Sequence, residues 1–440
     1  MPSKNDVAWE ALFEQHRILD RIDAEGVYQI SAGTINELRE ARLMTKFDHR
    51  IQLPSVFKQN ELTIQPNSRG TYLIGRFASY LDLPAGDDVA IEQVPFPVGL
   101  ETINPQDLYS ESAALLCAYN AGILDRLLEE DVSLTVMGRM STGRFDYSIN
   151  ETRSGRPFEI SVQNSQCEID SGFEGPGVFG IVEAKNETVN DFLVRQLYYP
   201  YRRWAGQTRK EVVPVFLSYS NDVFSFYVFR FSNVANYNSI ELVRQRRFQI
   251  GTSDIELQDI VIALERVRVL PEPDGIPFPQ ADSFNRVVDL LTQLHAAGGM
   301  SQEDITTNHA FDRRQTQYYT NAGRYLGLIE SHRSREEGVS YSLTPRAIAI
   351  MTRQPAARNL ALVETILEHR VFNETIRLYL TQAGRPNPNQ VIEIMRAAEL
   401  GLDQEGNTTI PRRAQTVLAR SFLLRGRTYD RPWESSANNW

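Results

Sequence analysis

Asp170 closes the segment CEID, and thirteen residues later Glu183 and Lys185 stand two apart in VFGIVEAK, residues 178–185. The residues before that pair, Val178, Phe179, Ile181 and Val182, are apolar and β-branched or aromatic, as a buried strand requires. A carboxylate and an ammonium at the end of such a strand need partners, because an unpaired charge is costly to bury. The glycines and proline of SGFEGPGVFG, residues 171–180, mark a turn between two strands. If CEID and GIVEAK pair as antiparallel neighbours, Asp170, Glu183 and Lys185 meet at one sheet edge. Glu183 and Lys185 share a face, since strand side chains alternate with period two. Two carboxylates suit a hard divalent cation such as Mg2+, which takes oxygen ligands, waters and substrate phosphate oxygens. The carbonyl of Ala184 offers a further oxygen. With Lys185 to orient water and offset charge on a pentavalent phosphorus, the set suits phosphodiester hydrolysis. Glu168 and Glu174 are rival ligands, and Glu168 shares the face of Asp170 by parity. The competing structural reading is a solvated strand edge with an incidental ion pair.

Around these residues the chain reads as α/β. A helix is expected over QDLYSESAALLCAYNAGILDRLLEE, and strands over VSLTVMG, RFDYSIN, PFEISVQNSQCEID and VFGIVEAK. A helix over ETVNDFLVRQLYYPYRRWAG and two β runs, EVVPVFLSYS and VFSFYVFRF, follow. This order predicts a mixed sheet packed with helices over residues 96–275. Ahead of it, residues 1–95 form an α+β block suited to DNA binding or dimerisation. That block opens with an amphipathic helix on Trp9, Leu12, Phe13, His16 and Leu19 and continues with a second helix over SAGTINELREARLMTKFDHR. There Ser31 or Thr34 is the cap and Glu37 the capping-box partner.

Residues 276–355 read as three helices and a strand hairpin, a winged helix-turn-helix. The helix in the recognition position, DRRQTQYYTNAGRYLGLIE, carries Arg313, Arg314, Gln317, Asn321 and Arg324, types that hold phosphates and read base edges. Arg333 and Arg335 lie in the wing. A looser version of the theme fills 356–440, with a turn at QEGN and Arg412 and Arg413 in the helix after it.

The 440 residues carry a formal net charge of −10, which argues against nucleic acid until its distribution is considered. Residues 281–440 hold 19 Arg against 17 Asp plus Glu, and no lysine follows Lys210. Two cysteines, Cys117 and Cys167, and six scattered histidines exclude a disulfide framework and a zinc cluster. With no apolar run long enough to span a bilayer and no secretory signal, the expected location is cytoplasmic.

The order Asp170, gap, Glu183-x-Lys185 resembles the PD-(D/E)xK nucleases, and within them the type II restriction endonucleases. The resemblance implies a nuclease core that opens with a helix bearing a glutamate, matched by Glu111 in YSESAALL. It also implies a glutamine in the helix after the lysine, matched by Gln196. The tyrosine that usually follows four residues later is replaced by Pro200, between Tyr199 and Tyr201. Asp170 and Glu183 would then hold Mg2+, Lys185 would position the attacking water, and Glu111 and Gln196 would support them. Taken by itself, Glu111 also suits the start of its helix, where a carboxylate meets the positive end of the dipole. Further implications are double-stranded DNA as substrate, a homodimer, 5′-phosphate ends, and a companion methyltransferase acting on the same site. Two rival functions remain: a winged-helix regulator that binds DNA without cutting it, and an endonuclease dependent on base modification.

Overall fold

The computed structural model describes residues 3–398 except 85–87, 106–107, 252–254, 256, 282, 309–310, 312, 335–337, 383 and 385. Internal contacts divide the chain into two units, Met1–Gly251 with Glu303–Arg313, and Thr252–Gln302 with Arg314–Trp440. Among the described residues no helix is long and apolar enough to cross a membrane.

The first unit begins with α1 (Lys4–His16) and α2 (Ile18–Glu25), which the chain breaks at Arg17, a residue in the left-handed region at φ 51°. Next come β1 (Val27–Ser31), α3 (Ala32–Asn36), α4 (Ala41–Met44), α5 (Ser55–Gln59), β2 (Thr63–Pro66) and β3 (Thr71–Gly75), with the strands ordered β1-β3-β2 in one small sheet. Trp9, Phe13 and Phe57 stack edge to face in its core. The single helix expected over residues 31–50 is instead two short ones. Ser31 caps α3 through the Thr34 N–H at 3.0 Å, but the helix stops at Asn36, whose Oδ1 accepts the Ala41 N–H at 2.7 Å. That local side-chain bond outcompetes helix propagation, and Glu37 lies past the helix end instead of closing a capping box.

Then follow β4 (Tyr80–Asp82), β5 (Ile91–Val94), α6 (Glu111–Asn120), α7 (Ile123–Leu128), β6 (Ser133–Ser141), β7 (Arg144–Asn150), β8 (Pro157–Gln163), β9 (Gln166–Glu174), β10 (Val178–Lys185), β11 (Asp191–Leu193), α8 (Arg195–Ala205), β12 (Glu211–Ser220), β13 (Val223–Phe231) and β14 (Ile240–Ile250). Seven strands make a mixed sheet in the order β5-β14-β13-β12-β10-β9-β6, parallel between β10 and β12 and between β5 and β14. Three expectations change here. The single helix expected over QDLYSESAALLCAYNAGILDRLLEE is two, α6 and α7, broken at Gly122 with φ 68°. The stretch PFEISVQNSQCEID is two strands, turned at Asn164 with φ 53°. The helix after Lys185 starts only at Arg195, because Asp191–Leu193 pairs with β4 as a strand.

Alternation along β10 sends Phe179 and Ile181 into a core shared with Leu197, Tyr198 and Tyr199 of α8, and Val182 and Ala184 into a second core with Leu115, Leu124 and Leu127 of α6 and α7. The sheet is therefore covered on both faces. Leu128 of α7 sits so close to β10 that a Cβ on Gly180 would lie 2.8 Å from its Cδ1. Two buried tyrosines, Tyr198 and Tyr199, fasten α8, and each finds a partner for its hydroxyl as burial demands. Tyr199 donates to the Pro66 carbonyl at 2.9 Å, and Tyr198 to that of Val234 at 2.9 Å. Burying such a ring is worth about 3 kcal/mol.

In the second unit lie α9 (Leu257–Arg266), α10 (Phe284–Ala297) and β15 (Met300–Ser301). The chain then gives α11 (Gln302–Asn308) to the first unit, and the second unit continues with α12 (Arg313–Tyr325), β16 (Ile329–Ser334), β17 (Gly338–Leu343), α13 (Pro345–Met351), α14 (Pro355–Leu367), α15 (Arg370–Gln382) and α16 (Pro388–Ala397). A three-stranded sheet runs β15-β17-β16. Arg346 of α13 grips Glu368 with two bonds of 2.7 Å, and Arg377 of α15 donates to the Leu264 carbonyl of α9 at 2.6 Å. The turn at 404–407, Arg412 and Arg413 fall outside the described residues.

Candidate active site at the edge of the mixed sheet

β9 and β10 are antiparallel neighbours with Val182 opposite Ser171, so Asp170 follows one step on, across from Glu183. There the carboxylate of Asp170 takes over as acceptor: its Oδ2 receives the Ala184 N–H at 2.8 Å. Glu183 and Lys185 continue the α8 face of β10 beyond Ile181, and both are buried, 7 % and 9 % exposed. Lys185 Nζ donates to Glu183 Oε1 at 2.6 Å and lies 3.8 Å from Glu111 Oε1. Gln196, in the first turn of α8, donates its Nε2 to the same Glu183 Oε1. Pro200 has no N–H, so the Gln196 carbonyl lacks the usual helical donor four residues on, and the buried Gln196 Oε1 has no hydrogen-bond partner among the described residues.

Glu111 comes from the opposite layer. It is the first residue of α6, whose N-cap Ser110 accepts the Ala113 N–H at 3.1 Å. The end of α6 thus brings its carboxylate round to Lys185. Ala184, between the two charges, places its methyl in the core with α6 and α7. Glu168 and Glu174 are engaged elsewhere, Glu168 with Arg139 at 3.1 Å and Glu174 with Lys210 at 2.6 Å.

Burial pushes the carboxyl of Glu183 well above its ordinary range, against the pull of Lys185, with Asp170 adding to the rise. Burial also raises Asp170 and Glu111, again opposed by Lys185. For Lys185, burial works against the charged form. The surrounding carboxylates, Glu183 first, then Asp48, Glu111 and Asp170, outweigh it and push the ammonium well up.

Asp48 is the residue that the sequence reading missed. It lies in the loop before α5, 16 % exposed at its side chain, and its backbone carbonyl accepts the Leu193 N–H at 2.9 Å. Burial disfavours its charge, yet Lys185, ahead of Lys46, His49 and Arg195, holds its carboxyl below the usual value. No local signal pointed to it: Asp48 stands between Phe47 and His49, both 2 % exposed, in a loop held by bonds to residues 191 and 193. The helix expected across residues 31–50 concealed it.

Asp170 Oδ1 and Glu183 Oε2 accept no hydrogen bond among the described residues. A buried carboxylate, Glu183, beside a half-buried one, Asp170, both with open oxygens and no nearby thiolate, fits a hard, oxygen-seeking cation that keeps water ligands. Among the described residues no three His, Cys, Asp or Glu side chains form a set able to hold a metal ion by themselves.

In the second unit, α12 turns Thr316, Tyr319, Thr320 and Tyr325 inward. Arg314 and Gln317 are exposed and Asn321 and Arg324 half-buried, and their helical spacing puts these four on one outer face. Arg314 donates to the Tyr318 hydroxyl and lies over that ring, and Arg324 reaches Asn321 Oδ1 at 3.2 Å. Arg313 opens the helix, Arg333 is exposed on β16, and Arg335 lies outside the described residues.

Three family models match successive segments, each described as a domain of unknown function: DUF6996 over residues 6–74, DUF6997 over 75–249 and DUF7226 over 286–420. No curated protein matches the chain, and no solved structure does. Asp170, Glu183, Lys185, Glu111 and Gln196 all fall in the middle segment, Asp48 in the first, and the outer face of α12 in the last.

Proposed function

We propose that this protein is a magnesium-dependent endonuclease that hydrolyses phosphodiester bonds in double-stranded DNA at specific sites, in the manner of the type II restriction enzymes. The observation that carries this reading is the convergence of Asp170, Glu183, Lys185 and Gln196 from two adjacent strands and the following helix, with Glu111 arriving from the helix on the other face. A mixed sheet covered on both faces, with the charges at the end of β10, supports a PD-(D/E)xK core. Asp170 and Glu183 would hold the magnesium ion through their open oxygens, with the Ala184 carbonyl as a further ligand. The ion, when bound, supplies polarisation of the phosphoryl oxygen and a more acidic water.

This chain's own residues do the rest. Lys185 carries its proton at Nζ, where it orients the attacking water and offsets negative charge on the pentavalent phosphorus. Gln196 fixes the rotamer of Glu183 by holding Oε1, and Glu111 steadies Lys185. The order of α10, α11, α12 and the β16–β17 hairpin supports a winged helix, with α12 as the element that meets DNA through Arg313, Arg314, Gln317, Asn321 and Arg324, and Arg333 in the wing. Under this reading the ends carry 5′-phosphates, two copies cut the two strands, and a methyltransferase protects the host's sites.

The test is direct. Purified protein with magnesium should cut plasmid or phage DNA into discrete fragments. Lys185→Ala and Asp170→Ala should each slow cutting by roughly 10²-fold or more while leaving DNA binding intact. Undiminished cutting by both variants defeats the site. Sequence-specific binding without cutting, under any divalent metal, leaves a DNA-binding regulator.

A further inference from the structure

Three turns of the first unit meet around a cleft of about 320 Å³, a volume within the range of small-molecule sites. The β2–β3 turn supplies Ser68 and Arg69, the end of β6 supplies Ser141, and the β8–β9 turn with its flanks supplies Gln163, Asn164 and Gln166. Backbone bonds tie the turns together. The Gln163 N–H donates to the Asn67 carbonyl at 2.8 Å, the Asn164 N–H to that of Gly143 at 2.7 Å, and the Thr142 N–H to that of Ser165 at 2.9 Å. Gly143 and Asn164 turn the chain in the left-handed region, at φ 73° and 53°. The walls are therefore set before any ligand arrives, and they join the segment matched at 6–74 to that matched at 75–249.

Among the described residues no carboxylate lines the cleft, although residues 1–280 hold 39 Asp plus Glu against 27 Lys plus Arg. Arg69, Gln163 and Gln166 are exposed, and their side chains make no hydrogen bond or ion pair among the described residues. Their donors and acceptors are open to a ligand. Met140 adds an apolar, polarisable surface. Amides of this kind pair with the donor and acceptor edge of a base, and a guanidinium forks onto a phosphate. A second guanidinium stands beside the same turns: Arg203 Nη1 is 3.6 Å from the position of a Cβ on Gly143, whose N–H donates to Ser141 Oγ at 3.3 Å. Gln166 opens β9 and Asp170 follows four residues on, about 13 Å along the strand. DNA carries a phosphate about every 3.4 Å of axis on each strand, so a strand engaged at Asp170 comes level with the cleft about four nucleotides away.

We propose that this cleft is a nucleotide-binding site, in which the amides of Gln163, Asn164 and Gln166 meet the edge of a base and Arg69 meets its phosphate. The nucleotide belongs to DNA held at the candidate active site. That source rests on the nuclease reading, whereas the chemistry of the cleft does not.

Cys117 and Cys167 are both buried, so a thiol introduced at the cleft reacts ahead of them. The full chain carrying Ser141→Cys is labelled with N-ethylmaleimide in the absence of divalent metal, alone and with duplex DNA, its separated strands, or millimolar deoxynucleoside monophosphates. Ser154→Cys, exposed at the far end of the β7–β8 hairpin, is the control. With ligand at about ten times its Kd, labelling at position 141 should slow about tenfold while position 154 is unaffected. Adding Arg69→Ala should weaken the protecting ligand about tenfold and, for DNA, reduce the slope of log affinity against log salt by about 1. Adding Gln163→Ala should leave that slope alone and change the order in which the four bases protect. Protection by DNA assigns the nucleotide to a bound strand, and protection by the monophosphates alone assigns a free nucleotide to the same cleft. Labelling that none of these ligands slows overturns the proposal, even in a protein that cuts DNA. A protein that never cuts DNA and is still protected at position 141 loses the nuclease reading and keeps this site. If Ser141→Cys does not fold, Gly70→Cys carries the same test, since a Cβ on that lining residue meets nothing within 4 Å.

Discussion

Glu183 Oε1 serves Lys185 and Gln196 together, and Asp170 gives one oxygen to the backbone of the neighbouring strand, so each carboxylate is held by one oxygen and open at the other. That arrangement is expensive at neutral pH. Asp170 is raised by burial beyond what Lys185 and the Ala184 N–H return, so the folded state holds a proton that the unfolded chain has already lost. Stability from this group is therefore greatest below the unfolded value of 3.8 and falls as pH rises through the folded one. The expected outcome for Asp170→Asn, whose amide oxygen still accepts from Ala184, is a higher melting midpoint than wild type at pH 7–8. The gap should close toward pH 4, as measured by thermal unfolding without divalent metal. Magnesium should raise the midpoint of wild type and not that of Asp170→Asn, because only a site that binds the ion gains from it. A variant less stable than wild type throughout would show that the charge of Asp170 is already compensated within the chain.

Each element brings one of these groups to its place, and the elements differ in how plainly the sequence announces them. β9, the turn and β10 are local: an apolar alternation, a Gly/Pro turn and a second alternation define the pair, and the antiparallel neighbours expected from CEID and GIVEAK are those found. The start of α8 is not local. Asp191–Leu193 has the composition of a helix start, but Asp82, Leu81 and Tyr80, more than a hundred residues earlier, pair with it as a strand. Asp48 was hidden for the same reason, since its place depends on bonds to residues 191 and 193. α6 was legible as a helix, and its end is set by Ser110. Replacing that cap with alanine should cost about 1 kcal/mol and lower the melting midpoint by about 2–4 °C. Fraying the first turn also frees Glu111 from Lys185, so any cutting activity should fall by more than the stability loss explains. Thermal unfolding and cleavage rates on the same preparation check both parts.

For the whole molecule the proposed function raises the question of how a chain of net charge −10 would meet a polyanion. Its negative charge lies in residues 1–280, where the carboxylates of the candidate site add to it. Residues 281–440 carry 19 Arg against 17 acidic groups. Under the proposed function, attraction to DNA would come from a local face, and the outer side of α12, with exposed Arg314 and Gln317, and Arg333 on β16 are the candidates in the second unit. Two kinds of contact can be told apart there. An arginine on phosphate releases counterions, so Arg314→Ala and Arg333→Ala should each reduce the slope of log affinity against log salt by about 1, with a similar loss on every sequence. Gln317, suited to the edge of adenine, should leave the slope unchanged when replaced by alanine and relax the preference between sites by about 1–3 kcal/mol. Fluorescence anisotropy with a cut site and a scrambled duplex, over about 50–200 mM salt, measures both quantities. A slope that none of these variants changes, in a protein that still binds DNA, would move the DNA-binding face away from α12 and onto the first unit.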